Sequence, residues 1–267
     1  MISSAQNERV RYVRSLVRRR VRQREGRFVV EGTRLVEEVV RAGLRPALVF
    51  YTAAWAASPA GERLLPLLRP ADEGDWLVSE PVLAACADTQ TPPGVLVVVP
   101  FVHLASRSGL ILILDRIRDP GNLGTILRSA EAASVGLVVL APGTVDLYNP
   151  KVVRGAMGAH LRLPVEGLAW PAIAGRVSGR TVWLADASGE VAYDSVDWTR
   201  PAALIVGGEA TGAGEEAAAL ATGRVSIPMA GGAESLNAAM AATVLLFEAA
   251  RQQRGAAAGS PLPNRVS

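Results

Sequence analysis

The chain has 267 residues, of which 49% are hydrophobic and 20% are charged. This length and composition can fill the core of one large or two modest domains, which excludes a mostly disordered protein. The apolar runs are far shorter than the roughly 18 residues of a membrane-spanning helix, and the N-terminus lacks the apolar segment of a secretory signal. A single cysteine excludes a disulfide framework. We therefore expect a cytoplasmic protein without a membrane partner.

The net charge of +3 is unevenly distributed along the chain. Residues 1–27 contain nine arginines and two acidic residues, whereas the remaining residues are net acidic. Val10, Val13, Val17 and Val21 recur every three or four residues, which predicts one basic amphipathic helix over residues 7–24. Such a helix favours contact with a nucleic-acid phosphate backbone, and a solvated surface helix is the alternative. The arginines assigned to this contact are Arg9, Arg11, Arg14, Arg18, Arg19 and Arg22.

The sequence predicts two domains of the α/β class. In the first, strands are expected at residues 28–31, 47–51, 76–78 and 95–99, with helices at 33–41 and 81–87. A short polar stretch precedes the next apolar run, so we place the first domain at residues 1–104 and the second at 109–254. Residues 255–267 are expected to form a disordered tail.

The second domain alternates aliphatic strands with helices. The expected strands are 110–114, 137–140, 181–185, 203–206 and 225–227, and the expected helices are 123–134, 151–159 and 236–253. Strands that are apolar throughout indicate a mostly parallel sheet buried on both faces. Ligands bind such sheets beyond the carboxyl ends of the strands, so the loops at those ends are the candidate site.

The loop after the strand at 110–114 leads into a helix that carries an arginine away from its apolar stripe. Asn122 is the predicted N-cap. Arg128 lies about 140° around the helix from buried Leu123. It could bind an anion near the helix N-terminus or form a surface pair with Glu131.

The loops after the strands at 203–206 and 225–227 are rich in glycine. Residues 207–214 hold four glycines, but Glu209 stands where a dinucleotide fingerprint has its middle glycine. This loop favours a neutral or cationic ligand, and a plain structural turn is the alternative. In the third loop Ser235 is the predicted cap of the final helix, and Met240 and Phe247 are expected in the core.

Three motifs in order resemble the SpoU/TrmH branch of the SPOUT superfamily of RNA methyltransferases. They are Asn-x-Gly-x-x-x-Arg at 122–128, Gly-x-Glu-x-x-Gly at 207–212, and Ile-Pro-Met with Ser-Leu-Asn at 227–237. The Pro-Lys-x-x-Arg-x-x-x-Gly stretch at 150–158 also fits, and adds Lys151 and Arg154 to the RNA-binding residues. Residues 28–51 resemble the start of the substrate-binding domain that many members carry.

The resemblance implies a deep C-terminal trefoil knot, S-adenosylmethionine as methyl donor, no metal, and a homodimer. Carried over by position, the residues that contact the cofactor are Gly207, Ile227, Met229 and Leu236. The polar residues implied at the reacting centre are Asn122, Arg128, Glu209, Ser235 and Asn237.

These residue types suit methylation of a ribose 2′-hydroxyl. The hydroxyl is a poor nucleophile at neutral pH, so the charge that develops on its oxygen must be stabilised or its proton removed. A guanidinium stays protonated at physiological pH, which favours Arg128 as an electrostatic stabiliser over the role of base. The expected substrate is 23S ribosomal RNA, with transfer RNA as the alternative. The alternative from another functional class is a catalytically silent RNA-binding or assembly factor. Deleting residues 1–24 is expected to weaken RNA binding and leave cofactor affinity unchanged.

Overall fold

The computed structural model describes residues 1–72, 74–89, 91–208 and 212–259. They form two compact units, one of Met1–His103 with Asp146–Arg162, and one of Leu104–Val145 with the residues from 163 onward. The first unit thus takes in a segment that the sequence assigned to the second domain. No helix in the described part of the chain is long and apolar enough to cross a membrane.

The first unit is built on a four-stranded sheet with helices on both faces. Its strands are β1 (Arg27–Glu31), β2 (Leu48–Tyr51), β3 (Gly74–Leu77) and β4 (Val95–Pro100), in the order β1-β4-β2-β3. Its helices before residue 104 are α1 (Glu8–Ser15), α2 (Arg19–Glu25), α3 (Thr33–Arg41), α4 (Ala53–Ala56), α5 (Pro59–Leu64) and α6 (Glu80–Cys86). Along β4, Val95, Val97 and Val99 pack in the cluster that contains α3, while Leu96 and Val98 pack with α1 and α6. This two-sided burial explains the unbroken apolar run of β4.

The basic N-terminal segment forms two helices, so the single helix expected over residues 7–24 is wrong. The helix is interrupted after Leu16, where the side chain of Arg22 turns inward. The Arg22 guanidinium donates to the carbonyls of Leu16 (2.9 Å) and Val17 (2.6 Å) and pairs with Asp146. These carbonyls are open to Arg22 because the helix stops there. Val17 is consequently 58% exposed, and the predicted valine stripe fails at that position.

The second unit contains a seven-stranded sheet in which every pairing is parallel, as predicted. Its order is β7-β6-β5-β10-β8-β11-β9. The strands are β5 (Ile111–Asp115), β6 (Leu137–Leu140), β7 (Val165–Gly167), β8 (Thr181–Ala185), β9 (Val191–Ala192), β10 (Ala202–Gly207) and β11 (Gly223–Ser226). The remaining helices of the chain are α7 (Pro120–Ala132), α8 (Pro150–Ala156), α9 (Trp170–Arg176), α10 (Glu215–Leu220) and α11 (Ala238–Gly259).

Helix α11 begins two residues later and ends six residues later than expected. It therefore extends into the segment that was predicted to be a disordered tail. Residues 260–267 lie outside the described residues. The trefoil knot stays a prediction from the resemblance.

The segment Asp146–Arg162, which contains α8, is held to the first unit by rings and ion pairs. Tyr148 stacks on Phe101 with ring centroids 4.0 Å apart, and its hydroxyl accepts from the Val102 N–H (3.0 Å). The ion pairs along the segment are Arg22–Asp146, Asp88–Arg154 and Glu38–Arg162. The contacts join residues far apart in the chain, which is why periodicity did not reveal them.

His160 lies in the aromatic cluster of the first unit and is expected to make stability pH-dependent. It is 2% exposed, its ring stands edge-on to Phe28 at 5.5 Å, and neither ring nitrogen has a hydrogen-bond partner in the described structure. Burial, aided by Arg162, lowers the pKa of His160 to about 4 from 6.5. The unfolded chain therefore binds a proton between these values that the folded chain excludes. Stability should fall by about 3 kcal/mol as the pH drops from 6.5 to 4.

The check is urea unfolding of the first unit across this pH range. In His160→Phe this contribution to the slope should vanish, because the group no longer titrates. His103→Gln, which changes the exposed second histidine, is the matched control. An unaltered pH slope in His160→Phe would contradict the assignment.

Candidate active site

The predicted site loops meet at one edge of the parallel sheet. Gly207, the last residue of β10, pairs directly with Asp115, the last residue of β5. Ile227 follows the end of β11, which is joined to β10 through β8. Because all these strands are parallel, their carboxyl ends lie at the same edge, as the sequence predicted.

A cavity of about 600 Å³ opens at this edge. It is lined by six of the predicted site residues: Gly207, Ile227, Met229, Ser235, Leu236 and Asn237. Apolar side chains from β8, β10 and α11 complete much of its wall, including Leu184, Val206 and Leu245. Its volume falls within the range of about 300–1,000 Å³ that is typical of cofactor sites. These six residues, which the sequence assigned to one site, therefore lie in the wall of one pocket.

The glycine-rich loop after β10 folds back on itself. Gly208 and Gly212 form a bridge, and a Cβ on Gly207 would lie 2.4 Å from the backbone nitrogen of Ala213. The buried Asp115 carboxylate accepts a 2.6 Å hydrogen bond from the Gly214 N–H. Only glycine fits at 207, and Asp115 ties the far end of the loop to β5. Glu209 lies outside the described residues.

Two asparagines connect the starts of α7 and α11. Asn237 caps α11, since its Oδ1 accepts from the N–H groups of Ala239 (2.9 Å) and Met240 (3.3 Å). Its Nδ2 donates to Oδ1 of Asn122 at 3.2 Å. The predicted caps are thus wrong: Asn237 caps α11 instead of Ser235, and Asp119 caps α7 instead of Asn122. Freed from capping, the Asn122 side chain contacts Asn237, but Asn122 itself does not line the cavity.

Arg128 lies on the exposed side of α7, in agreement with its predicted position on the helix. Within the described part of the chain it has no hydrogen bond or ion pair, so the suggested pair with Glu131 does not form. It is not part of the wall of the 600 Å³ cavity. Helix α7 packs against α11, where Ser129 and Thr243 share a 2.7 Å hydrogen bond. Arg128 is therefore an available cation next to the helix that carries Asn237.

The predicted RNA-binding residues divide into exposed and engaged groups. The exposed ones are Arg11, Arg14, Arg18, Arg19 and Lys151. Arg9 is half-buried, with its guanidinium 4.3 Å from the Trp76 ring centroid, and Arg154 pairs with Asp88 at 2.6 Å. The assignment of Arg22 to RNA is wrong, because its side chain is buried and neutralised by Asp146.

Sequence reasoning missed Asp186, which lines the cavity at the end of β8. Its carboxylate accepts from the Ser188 N–H (2.9 Å), from the Ser188 hydroxyl (2.8 Å) and from Arg224 (2.6 Å). The Ser188 bonds foremost, and Arg224 after them, lower the pKa of Asp186, so it is ionised at neutral pH. Its position just beyond a parallel strand was the available signal.

No group of three His, Cys, Asp or Glu side chains suited to a metal occurs among the residues that the structure describes. The pocket offers an apolar wall, backbone at three glycines, the Glu234 carboxylate, and the ion pair of Asp186 with Arg224. This combination fits an organic ligand with a cationic group.

Comparisons with known proteins agree on one family. Residues 109–247 match the SpoU rRNA Methylase family, and residues 7–97 match the MRM3-like substrate binding domain. A 23S rRNA (guanosine(2553)-2'-O)-methyltransferase, RlmP from Bacillus subtilis, is 32% identical over 92% of this chain and 97% of its own length. Human mitochondrial rRNA methyltransferase 3 is 32% identical over 94% of this chain and 74% of its own.

A solved structure gives the same result. The SpoU methyltransferase AviRb from Streptomyces viridochromogenes, in complex with AdoMet, superposes with a TM-score of 0.82. It is 30% identical, and the match covers 93% of this chain and 99% of that one.

Proposed function

Because the chain belongs to the SpoU rRNA methylase family, we propose that it transfers a methyl group from S-adenosylmethionine to a ribose 2′-hydroxyl of ribosomal RNA. The observation that carries this proposal is a single pocket lined by residues of two motif loops. One of them, Asn237, is hydrogen-bonded to Asn122 of the third motif. The N-terminal match to a substrate-binding domain supports ribosomal RNA as the substrate. The cytoplasmic location is part of the same proposal.

The size and the largely apolar wall of the pocket support S-adenosylmethionine as its ligand. In this proposal Ile227, Leu236 and the backbone at Gly207 hold the adenosyl part, and Met229 adds an apolar contact. Glu234 complements the cationic group, whereas Asp186 is already paired with Arg224 at 2.6 Å. When bound, the cofactor supplies an electrophilic methyl group on its sulfonium. Transfer of this methyl group needs no metal.

The polar residues of the site have distinct roles in this proposal. Asn237 is fixed by its cap bonds, and it orients Asn122 through the 3.2 Å contact. Arg128 binds the RNA phosphate and stabilises the negative charge that develops on the 2′-oxygen. Ser235 and Glu209 complete the polar set around the acceptor.

A direct assay tests the activity. The purified protein is incubated with radiolabelled S-adenosylmethionine and 23S rRNA from cells that lack the gene. We expect incorporation at a defined nucleotide that resists alkaline hydrolysis, because alkaline cleavage needs a free 2′-hydroxyl. Label released in an alkali-sensitive mononucleotide would indicate base methylation instead. Failure to bind the cofactor in calorimetry would favour a silent RNA-binding factor.

A homodimer through α11 is the second part of the proposal. Met240 and Phe247, expected in the core, are instead 62% and 44% exposed. They lie seven residues apart, hence on the same side of α11. An apolar helix face of this kind is typical of an interface. Since Arg128 does not line the cavity of its own chain, a dimer would allow it to act in the partner's pocket.

Phe247→Asp is expected to convert the dimer into a monomer, because it places a charge in the apolar interface. Light scattering coupled to gel filtration measures the mass. Leu67→Asp is the matched control, since Leu67 is 53% exposed but lies in the first unit. A wild-type protein that is already monomeric, or equal effects of the two variants, would contradict this interface.

A further inference from the structure

A second cavity of about 400 Å³ lies within the first unit, far in sequence from the motif loops. Its charged lining comes from α1, the α1–α2 corner, the end of β1, and the stretch after α6. Its apolar lining includes Val13, Val17 and Pro150. Cys86 also lines the cavity. Burial raises the pKa of its thiol to about 11, so the thiol is uncharged at neutral pH.

The charges around this cavity do not balance. Its acidic residues are Glu31 and Asp88. Asp88 is neutralised by Arg154 at 2.6 Å, and Glu31 accepts from the Asp88 N–H (2.8 Å) and the Thr89 hydroxyl (3.2 Å). Arg22 is neutralised by Asp146. Asp88 is thus neutralised, whereas Glu31 keeps its negative charge and is held by hydrogen bonds from neutral donors.

Three arginines remain on the rim without a partner in the described part of the chain. Arg11, Arg14 and Arg18 all line the cavity and are exposed. Three guanidiniums converging on one opening attract phosphate groups, which they bind with paired N–H donors. The same cavity also has apolar side chains in its lining, including Val13, Val17 and Pro150.

We propose that this cavity receives a single unstacked nucleotide of the RNA substrate, with its flanking phosphates on Arg11, Arg14 and Arg18 and its base against the apolar side chains of the lining. Proteins read RNA mainly at unpaired loops and bulges, whose bases can be splayed into pockets. A flat basic face would hold paired and unpaired RNA alike, whereas this cavity selects unpaired RNA. The inference rests on the RNA substrate of the proposed function, but it concerns a different surface.

Cavity-filling variants test the pocket without changing charge. Ala85 lines the cavity and is exposed, whereas its exposed neighbour Ala84 does not line it. The probes are a hairpin RNA with an eight-nucleotide loop and a fully paired duplex with the same number of phosphates. Ala85→Trp should lower affinity for the loop RNA at least tenfold, down to the affinity for the duplex. Ala84→Trp should change neither.

Charge variants test the phosphate contacts. In the triple variant R11Q/R14Q/R18Q the slope of log affinity for the loop RNA against log salt should fall by about 2, since each lost phosphate contact with a single strand removes about 0.7. The control R20Q/R34Q/R45Q removes the same charge from exposed arginines of the first unit that do not line the cavity, and should lower the slope by less than about one.

Three outcomes would overturn the inference. Wild-type protein could bind loop and duplex equally, the two tryptophan variants could act alike, or the two triple variants could lose the same slope. Competition by free adenosine monophosphate as strong as that by the loop RNA would assign the cavity to a free nucleotide instead. Methyl transfer by the wild type is measured in parallel, so failure of the pocket and failure of the proposed activity are separate results.

Discussion

Arg128→Lys should lower the turnover of methyl transfer by about 100- to 1,000-fold while S-adenosylmethionine binds with unchanged affinity. The estimate is the cost of removing one donor that stabilises charge in a transition state. Lysine keeps the positive charge but loses the planar pair of donors that can hold a phosphate and the developing alkoxide together. Single-turnover rates and calorimetry with the cofactor measure the two quantities. Arg200→Lys, an exposed arginine of the same unit, is the control.

Near-normal turnover with weaker RNA binding in Arg128→Lys would contradict the stabilising role. Mixed dimers add a test of where Arg128 acts. Arg128→Lys is combined with Ala218→Trp, which fills the cofactor cavity from an exposed position on α10. If Arg128 acts in the partner's pocket, random exchange in a two-fold dimer should restore about a quarter of wild-type activity. If it acts in its own pocket, the mixture stays inactive.

The sequence predicted the parts of the fold that are set by local pattern. The apolar runs of β5, β6 and β10 predicted the parallel sheet, because strands buried on both faces have no polar alternation. The site followed from the same rule, since loops after parallel strands meet at one edge. Asp186 was missed only because the loop after β8 contains no motif, although its position qualified.

Contacts between residues far apart in the chain could not be predicted from the sequence. The Asp119 and Asn237 caps depend on the angle at which each helix leaves its loop, and both Asn122 and Ser235 were chemically adequate alternatives. Met240 and Phe247 have core-type side chains, and only the packing of α7 against α11 leaves them exposed. The contacts that join the segment Asp146–Arg162 to the first unit could not be predicted for the same reason.

The same limitation changes how the basic N-terminus can be tested. Deleting residues 1–24 removes Val10, Val13 and Leu16, which are buried in the core of the first unit, as well as Arg22. Loss of RNA binding in that truncation would report unfolding as readily as the loss of phosphate contacts. Substitutions of exposed arginines are therefore the informative variants.

Arg22→Met is expected to destabilise the first unit by about 3–5 kcal/mol. Asp146, 14% exposed, would be left without its cation, and the carbonyls of Leu16 and Val17 would lose their donor. Removing one partner of a buried ion pair has this cost because the other charge stays desolvated. Chemical denaturation measures the change. Hydrogen exchange should show faster exchange in α1, α2 and the segment Asp146–Arg162, and no change in β5 or β10.

Two further variants separate burial from charge. Arg24→Met removes an arginine of the same helix that is 73% exposed and paired with Glu25, so it should change stability by less than about 0.5 kcal/mol. The double variant Arg22→Met/Asp146→Leu should recover much of the loss, because apolar residues of similar volume often replace a buried pair at little cost. If the double variant is as unstable as Arg22→Met, the backbone carbonyls at the α1–α2 corner are the main partners of Arg22. Equal stability of Arg22→Met and Arg24→Met would contradict the structural role and return Arg22 to the RNA-binding set.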